Sequence, residues 1–387
     1  MITRAIEKEL AVTSEEYPVV TIVGPRQSGK TTLARKFYSE YRYVNLEDPE
    51  SRGLAIHDPK TFLHNYHPPL IIDEIQNVPE LLSWIQVLVD ENPSQKSGFV
   101  LTGSHQFRLR QAVTQSLAGR TALLTLFPFS LEELPEEHVQ ADREDILLKG
   151  FMPRLFDQNI RPHRFYSDYF QTYVERDVRK LMAIEDQQAF ELLLRLLAAR
   201  TGREINYADL SKQIGISAPQ IKKWLSLLEA SYIIFRLPPF FTNYGKRLVK
   251  APKIYFVEPG LAVYLLGIET SDQLARDPAF GGLFENMIVA EALKKRYNSG
   301  KAPNLYFFRD KSLNEVDLLF PDGPSFKPIE IKSSRTFKPD FIKGISYYRK
   351  LAGINIKGVL INDGDLDIDT QEARVLNFRR AFSILDQ

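Results

Sequence analysis

One stretch constrains this chain more than any other: Ile22-Val23-Gly24-Pro25-Arg26-Gln27-Ser28-Gly29-Lys30-Thr31-Thr32, which has the Gly-x-x-x-x-Gly-Lys-Thr spacing of a phosphate-binding loop. The apolar run Val19–Val23 before it predicts a short buried strand, and the residues after it, Thr32 to Tyr38, have helical spacing. Strand, glycine loop and helix in that order are the context the motif needs. The N–H groups of the loop and the positive end of the helix together hold the β- and γ-phosphates. Gly24 and Gly29 permit the dihedrals of the turn, and Pro25, Arg26, Gln27 and Ser28 line it. Lys30 reaches the phosphates, Thr31 offers its hydroxyl to Mg²⁺, and Thr32 closes the loop. ATP and Mg²⁺ are the expected ligands.

The block to about residue 135 alternates apolar runs with helical stretches, which predicts a parallel sheet with helices on both faces. Its predicted strands are Val19–Val23, Tyr43–Leu46, Leu70–Ile72, Phe99–Thr102 and Ala122–Leu126. The third runs into Asp73-Glu74. A buried strand ending in two carboxylates puts Asp73 beside the metal's water shell and Glu74 where it would polarise an attacking water. The fourth runs into Thr102-Gly103-Ser104. Ligands sit at the carboxyl ends of parallel strands, so Thr102 or Ser104 either touches the γ-phosphate or the water, or caps the next helix. Arg120 is either an arginine finger, supplied in cis or by a neighbouring subunit of a homo-oligomer, or a solvated surface arginine.

With 387 residues the chain needs two or three domains, for which the composition shifts suggest 1–135, 141–266 and 271–387. Fifty basic and 49 acidic side chains leave a net charge of +1, so any nucleic-acid surface has to be a local patch. There is no cysteine, which excludes disulfides and thiolate zinc sites and fits a reducing compartment. No apolar run approaches spanning length, and the start reads as a charged amphipathic helix, so a cytoplasmic location with no membrane partner is expected.

The second block is rich in Leu, Ile and Tyr at helical spacing. Phe165 to Met182 predicts a long amphipathic helix whose aromatic face is core. Ala208–Ile214 predicts a short helix, Gly215 takes a turn, and Ser217 caps a second helix with Pro219 near its first position, which makes a helix-turn-helix pattern. Two apolar stretches follow, Tyr232–Leu237 and Ile254–Val257, with a basic segment between them. That is the winged variant. Lys222, Lys223, Lys246, Arg247 and Lys250 are its candidate DNA contacts, although such modules also serve as plain protein-packing units.

The third block carries a second constellation. Glu285 lies on a predicted helix, Asp317 opens a strand, and Pro328-Ile329-Glu330-Ile331-Lys332 predicts another in which Glu330 and Lys332 share one face. An Asp followed by Glu-x-Lys is the arrangement of metal-assisted phosphodiester cleavage. Asp317 and Glu330 would hold Mg²⁺, Lys332 would orient or activate the water, and Glu285 would complete the shell. The alternative is that Lys332 alone balances the two acids.

Taken together, these stretches resemble a bacterial and archaeal family of ATP-binding proteins with an N-terminal AAA+-type ATPase domain and a C-terminal region long labelled as of unknown function. The resemblance covers nearly the whole chain. Its carriers include Gly24–Thr32, Leu70–Gln76, Leu101–Ser104, Ser116–Arg120, Tyr173–Arg179, Ile205–Ile234, Lys253–Leu261, Gly282–Asn286, Tyr306–Asp317 and Ile329–Ser333. It implies an α/β chain built as a P-loop AAA+-type parallel-sheet domain, a helical and winged-helix domain, and an α/β domain resembling restriction endonucleases. Glu258-Pro259-Gly260 stands where Asp-x-Gly is expected, so Glu258 is given no catalytic role. Two functions are compatible. One is an ATPase coupled to structure-selective DNA binding; the other is a non-cleaving regulatory NTPase whose tail is a docking module.

Overall fold

A computed structural model of the protein describes residues 2–92, 94–104, 116–178, 186–240, 251–365 and 367–384. The apolar runs of the first block become strands, of which the inner three are covered on both faces and the two edge strands only in part. Val19–Val23 (β1), Arg42–Asn45 (β2), Leu70–Asp73 (β3), Phe99–Gly103 (β4) and Thr121–Thr125 (β5) form an all-parallel sheet in the order β2-β3-β4-β1-β5. Such sheets are buried on both sides, which accounts for strands that read as nearly continuous Val, Ile and Leu. On one face Val20, Ile22, Ile71 and Val100 pack with Ile6 and Leu10 of the N-terminal segment and helix Glu7–Glu16 (α1), and with Leu33 of helix Lys30–Phe37 (α2). On the other, Val19, Val23, Ile72 and Leu101 join a larger core with Leu82 and Ile85 of Leu81–Glu91 (α3).

The strand order positions the chemistry. Because β4 lies between β1 and β3, its carboxyl end stands between the glycine loop after β1 and the carboxylates after β3. Strands two to five lie within a residue of their predicted bounds.

Helices Arg143–Lys149 (α4), Arg154–Asp157 (α5) and Pro162–Tyr169 (α6) follow. The aromatic face predicted for the next segment is buried, through Phe165, Tyr166, Tyr169, Phe170 and Tyr173. Its winding differs from the expected α-helix: Phe170–Val178 is π-helical, and the predicted end at Met182 lies outside the described residues. After Gln187–Ala199 (α7) come Tyr207–Ile214 (α8) and Ala218–Ala230 (α9). Asn206 and Ser217 cap these two by accepting from the backbone N–H three residues on, and Gly215 closes α8 at φ 83°, the left-handed region in which glycine carries no Cβ penalty. Strands Ile234–Leu237 (β6) and Lys253–Phe256 (β7) then pair antiparallel, and Pro259–Leu265 (α10) follows.

Helix Phe280–Asn298 (α11) is buried on nearly every side, its polar Asn286, Glu291 and Lys294 included. It packs against β5, β7 and α10, so one apolar core runs from the first sheet to the last. Beyond it a mixed sheet, β12-β13-β11-β10-β9-β8, is built from Tyr306–Arg309 (β8), Glu315–Asp322 (β9), Ser325–Ile331 (β10), Gly358–Asn362 (β11), Ile368–Asp369 (β12) and Ala373–Asn377 (β13). Lys343–Ala352 (α12) lies against β9 and β10. Among the described residues no helix is long and apolar enough to cross a membrane.

Candidate nucleotide site and acidic cluster

The loop after β1 is held open to its ligand side by its own backbone. A Cβ on Gly24, at φ 149°, would stand 2.1 Å from the carbonyl oxygen of Leu126, so only glycine lets the loop pass that close to the strand beside it. Gln27 and Glu74 also take positive φ, 62° and 55°, conformations that cost a non-glycine residue energy and that gather at working sites. The Lys30 side chain is buried, and its Nζ donates to the carbonyls of Gly24 (3.2 Å) and Pro25 (2.8 Å). Burial lowers its pKa to about 8, against the pull of Glu74 and Asp73, so it is still largely an ammonium at neutral pH.

Four hydroxyls meet two carboxylates beside it. The Thr31 hydroxyl donates to Asp73 Oδ2 at 2.9 Å, and the Tyr43 hydroxyl donates to the same atom at 2.8 Å. Thr102 donates to Asp73 Oδ1, and Ser104 donates to Glu74 Oε2 at 3.1 Å. Both hydroxyls considered at the end of β4 therefore bind the carboxylates after β3. Gln76 also donates to Glu74. The cleft, about 410 Å³, is lined by Arg26, Lys30, Thr31, Glu47, Glu74 and Arg154 among others. Tyr43, Glu47 and Arg154 were not legible in sequence: Tyr43 meets Asp73 from within β2, Glu47 and Arg154 reach the cleft from just after β2 and from α5, and no spacing rule links them to the loop.

Arg120 is a correction. It immediately precedes β5, whose first residue pairs with Val19 at the start of β1, while the loop follows the end of β1. That is about 16 Å away at about 3.3 Å per residue. There Arg120 forms a two-pronged ion pair with Asp90 of α3, Nε to Oδ1 at 2.6 Å and Nη2 to Oδ2 at 2.9 Å. That place favours a surface arginine, or a finger for a neighbouring subunit, over a finger for its own chain.

The second constellation does converge. The register that pairs Ile329 with Leu318 sets Glu330 across from Asp317. Lys332 Nζ lies 3.2 Å from Asp317 Oδ2 and 3.0 Å from Glu330 Oε2, and Asp317 also accepts the Ile331 N–H at 2.9 Å. Glu285 comes in from α11 and is joined to the rest by a residue the sequence reading missed. Lys253 of β7 puts its buried ammonium 3.1 Å from Glu285, 2.6 Å from Glu315 and 4.0 Å from Asp317, while Tyr255 donates to Glu285 at 2.6 Å. Two ammoniums thus share these acids, Lys332 between Asp317 and Glu330 and Lys253 between Asp317, Glu285 and Glu315. Among the described residues no three His, Asp or Glu side chains gather so that they could hold a metal. The start of α12 closes over the cluster, since a Cβ on Gly344 would come within 2.3 Å of Glu330 Oε1. Glu258, denied a role above, is a structural acceptor: its Oε1 takes the N–H groups of Phe151 (3.0 Å) and Gly260 (3.1 Å) and the Tyr166 hydroxyl (2.9 Å).

Burial would raise Asp317, but Lys332 and Lys253 hold it below the usual carboxylate range. Burial and the Asp317 charge push Glu330 up to about 9, with Lys332 pulling the other way. A carboxyl with a raised folded-state pKa contributes stability below its unfolded value and loses it as pH rises through the folded one. Glu330 should therefore cost the fold progressively more stability from about pH 4.5 to pH 9. Denaturant midpoints at pH 5, 7 and 9 should fall less steeply in Glu330→Gln than in the parent chain; parallel pH profiles would mean that Glu330 is ionised throughout.

Of the DNA-contact candidates, Lys222 and Lys223 lie exposed on α9, and Lys246, Arg247 and Lys250 fall outside the described residues.

Comparison with known proteins gives three family matches in chain order: an AAA domain over residues 16–135, a domain of unknown function (DUF8612) over 140–272 and another (DUF4143) over 280–380. Uncharacterized proteins of Mycobacterium tuberculosis and Mycobacterium bovis are each 30% identical over 334 residues, which is 85% of this chain and 73% of theirs. Among solved structures, the Walker-type ATPase of Pyrococcus abyssi is 16% identical, with 67% of this chain and 94% of that one covered at a TM-score of 0.41. A variant of RuvB from Thermotoga maritima is 18% identical, covering 61% and 90% at 0.34.

Proposed function

The chain belongs to the family of these mycobacterial proteins, which pairs an AAA domain with a C-terminal domain of unknown function, and we propose that it is a Mg²⁺-dependent ATPase whose turnover is coupled to DNA binding. One observation carries the reading: Thr31, Asp73, Glu74, Thr102 and Ser104 form a single hydrogen-bonded group at the carboxyl edge of a parallel sheet, within reach of the charge of the buried Lys30. The donors suit Mg²⁺, which takes hard oxygens and is commonly held by one or two protein groups together with the phosphates. Thr31 and Asp73 would hold it, and when bound it would neutralise charge on the phosphates. The chain's own residues do the rest. Lys30 and the loop N–H groups, Gly24 through Thr32, bind the β- and γ-phosphates. Glu74, held by Ser104, orients the attacking water and accepts its proton. Thr102 holds Asp73 in place by donating to its Oδ1. Arg120 would serve only a neighbouring copy's nucleotide, once released from Asp90.

We divide the chain into an ATPase unit, 1–135, a winged-helix unit, 141–266, and a nuclease-like unit, 271–387. The antiparallel pair after α8 and α9 supports the winged reading. Lys222, Lys223, Lys246, Arg247 and Lys250 neutralise DNA phosphates there, so binding follows DNA shape more than sequence and weakens with salt. Changing all five to Gln should weaken DNA affinity and flatten its salt slope. The same change should abolish any stimulation of ATP turnover by single-stranded, duplex or branched DNA, each added separately. Unchanged affinity and slope would remove this unit from DNA binding.

A second reading has specific support. The lysines in the Glu285, Asp317 and Glu330 cluster favour a tail that docks and does not cut, in a switch driven by nucleotide. It predicts ATP turnover indifferent to DNA and no Mg²⁺- or Mn²⁺-dependent nicking.

A further inference from the structure

Arg4 precedes α1 and lies ahead of residue 16, where the AAA match begins. It is buried, at 7% exposure, a position an arginine takes only with its donors matched. Its Nη1 donates to the carbonyl of Ser28, inside the glycine loop, at 2.9 Å. Its Nη2 donates to the carbonyl of Phe127 at 2.7 Å, and its Nε to Glu133 Oε1 at 3.1 Å. The guanidinium lies 4.7 Å over the Phe129 ring. One flat fork therefore joins the loop to the segment after β5, the same segment whose Leu126 carbonyl presses on Gly24.

The Ser28 contact fixes more than a carbonyl. Across a trans peptide the C=O and the following N–H point in opposite directions. With the Ser28 oxygen held toward Arg4, the Gly29 N–H is turned the other way. A carbonyl swung into the cleft would repel phosphate, whereas an N–H turned into it donates. We infer that Arg4 is a positioning residue of the nucleotide site, which holds the Ser28–Gly29 peptide in the orientation that binds ATP phosphates. The inference rests on the ATP reading above and adds to it a residue that precedes the AAA match.

A structural role alone would also make Arg4 matter, because its removal strands the buried Glu133 carboxylate. The test separates the two. Arg4→Met keeps the apolar stem, and the double variant Arg4→Met/Glu133→Gln also removes the stranded charge. Affinity for a fluorescent ATP analogue with Mg²⁺ and the melting temperature are read on both. The expected result is a melting temperature that falls in Arg4→Met and largely returns in the double variant, while affinity stays at least about tenfold weaker in both. Should Arg4→Met fail to fold, the double variant decides alone. Recovery of affinity together with melting temperature would overturn the proposal. Lys30→Ala run alongside keeps the premise distinct: if it binds as tightly as the parent chain, it is the ATP reading that has failed.

Discussion

Glu74→Gln is expected to bind Mg²⁺-ATP as the parent chain does and to hydrolyse it roughly 10²- to 10⁴-fold more slowly, the usual range for loss of a general base. The substitution keeps the shape of the side chain and an oxygen for the Ser104 hydroxyl, so the edge of the sheet is not disturbed. Only the charge that takes the water's proton is gone. Lys30→Ala should behave in the opposite way and lose binding itself, because the buried ammonium that faces the phosphates cannot be replaced by backbone donors alone. Titration with a fluorescent nucleotide and single-turnover hydrolysis separate the pair. Hydrolysis at the parent rate in Glu74→Gln would take the catalytic role from Glu74 and move the search to its neighbours Gln76 and Ser104.

The other large effect is expected from Lys253→Met, a loss of about 3–5 kcal/mol in stability, as when one partner of a buried ion pair is removed. Burial by itself would lower the Lys253 pKa, yet the charges of Glu285, Asp317 and Glu315 hold it above its ordinary value. Without the ammonium, Glu285 and Glu315 lose a partner that water, which reaches Glu315 more than Glu285, replaces only in part. Glu285→Gln added to Lys253→Met should restore part of the loss. Urea midpoints of the two proteins measure this, and a Lys253→Met protein as stable as the parent would show that the cluster is hydrated and not the closed ion cage described above.

Local patterns made much of the fold readable, and distant contacts hid the rest. The three inner strands of the first sheet were legible because burial on both faces demands uninterrupted apolar runs, and the cap at Ser217 sits where backbone donors need it. The meeting of Asp317, Glu330 and Lys332 followed from period-two alternation and one antiparallel register. Arg120 misled because a sequence does not say at which end of a strand a residue meets its neighbours; that needs the register with β1. The π-helical winding at Phe170–Val178 was not legible either, since over nine residues its apolar spacing differs little from that of an α-helix. Arg4 and Lys253 were beyond reach for a plainer reason. Each acts on partners far along the chain, and a lone basic residue in a charged segment carries no sign of that.

Glu133, which holds Arg4, lies in a turn whose Leu131 N–H is bound by Glu291 of α11 at 2.7 Å, while Lys294 of the same helix donates to the Phe129 carbonyl at 2.7 Å. Those partners are translated 160 residues or more after the groups they satisfy. At about 5–20 residues per second that interval is on the order of eight to thirty seconds. A nascent chain that has already made its whole AAA segment, Arg4 and Glu133 included, would still lack the α11 partners that brace the turn holding Glu133. That brace would be completed only late in synthesis, when α11 docks, and a ribosome stalled before residue 280 would display an ATPase segment whose turn at Leu131 is not yet held.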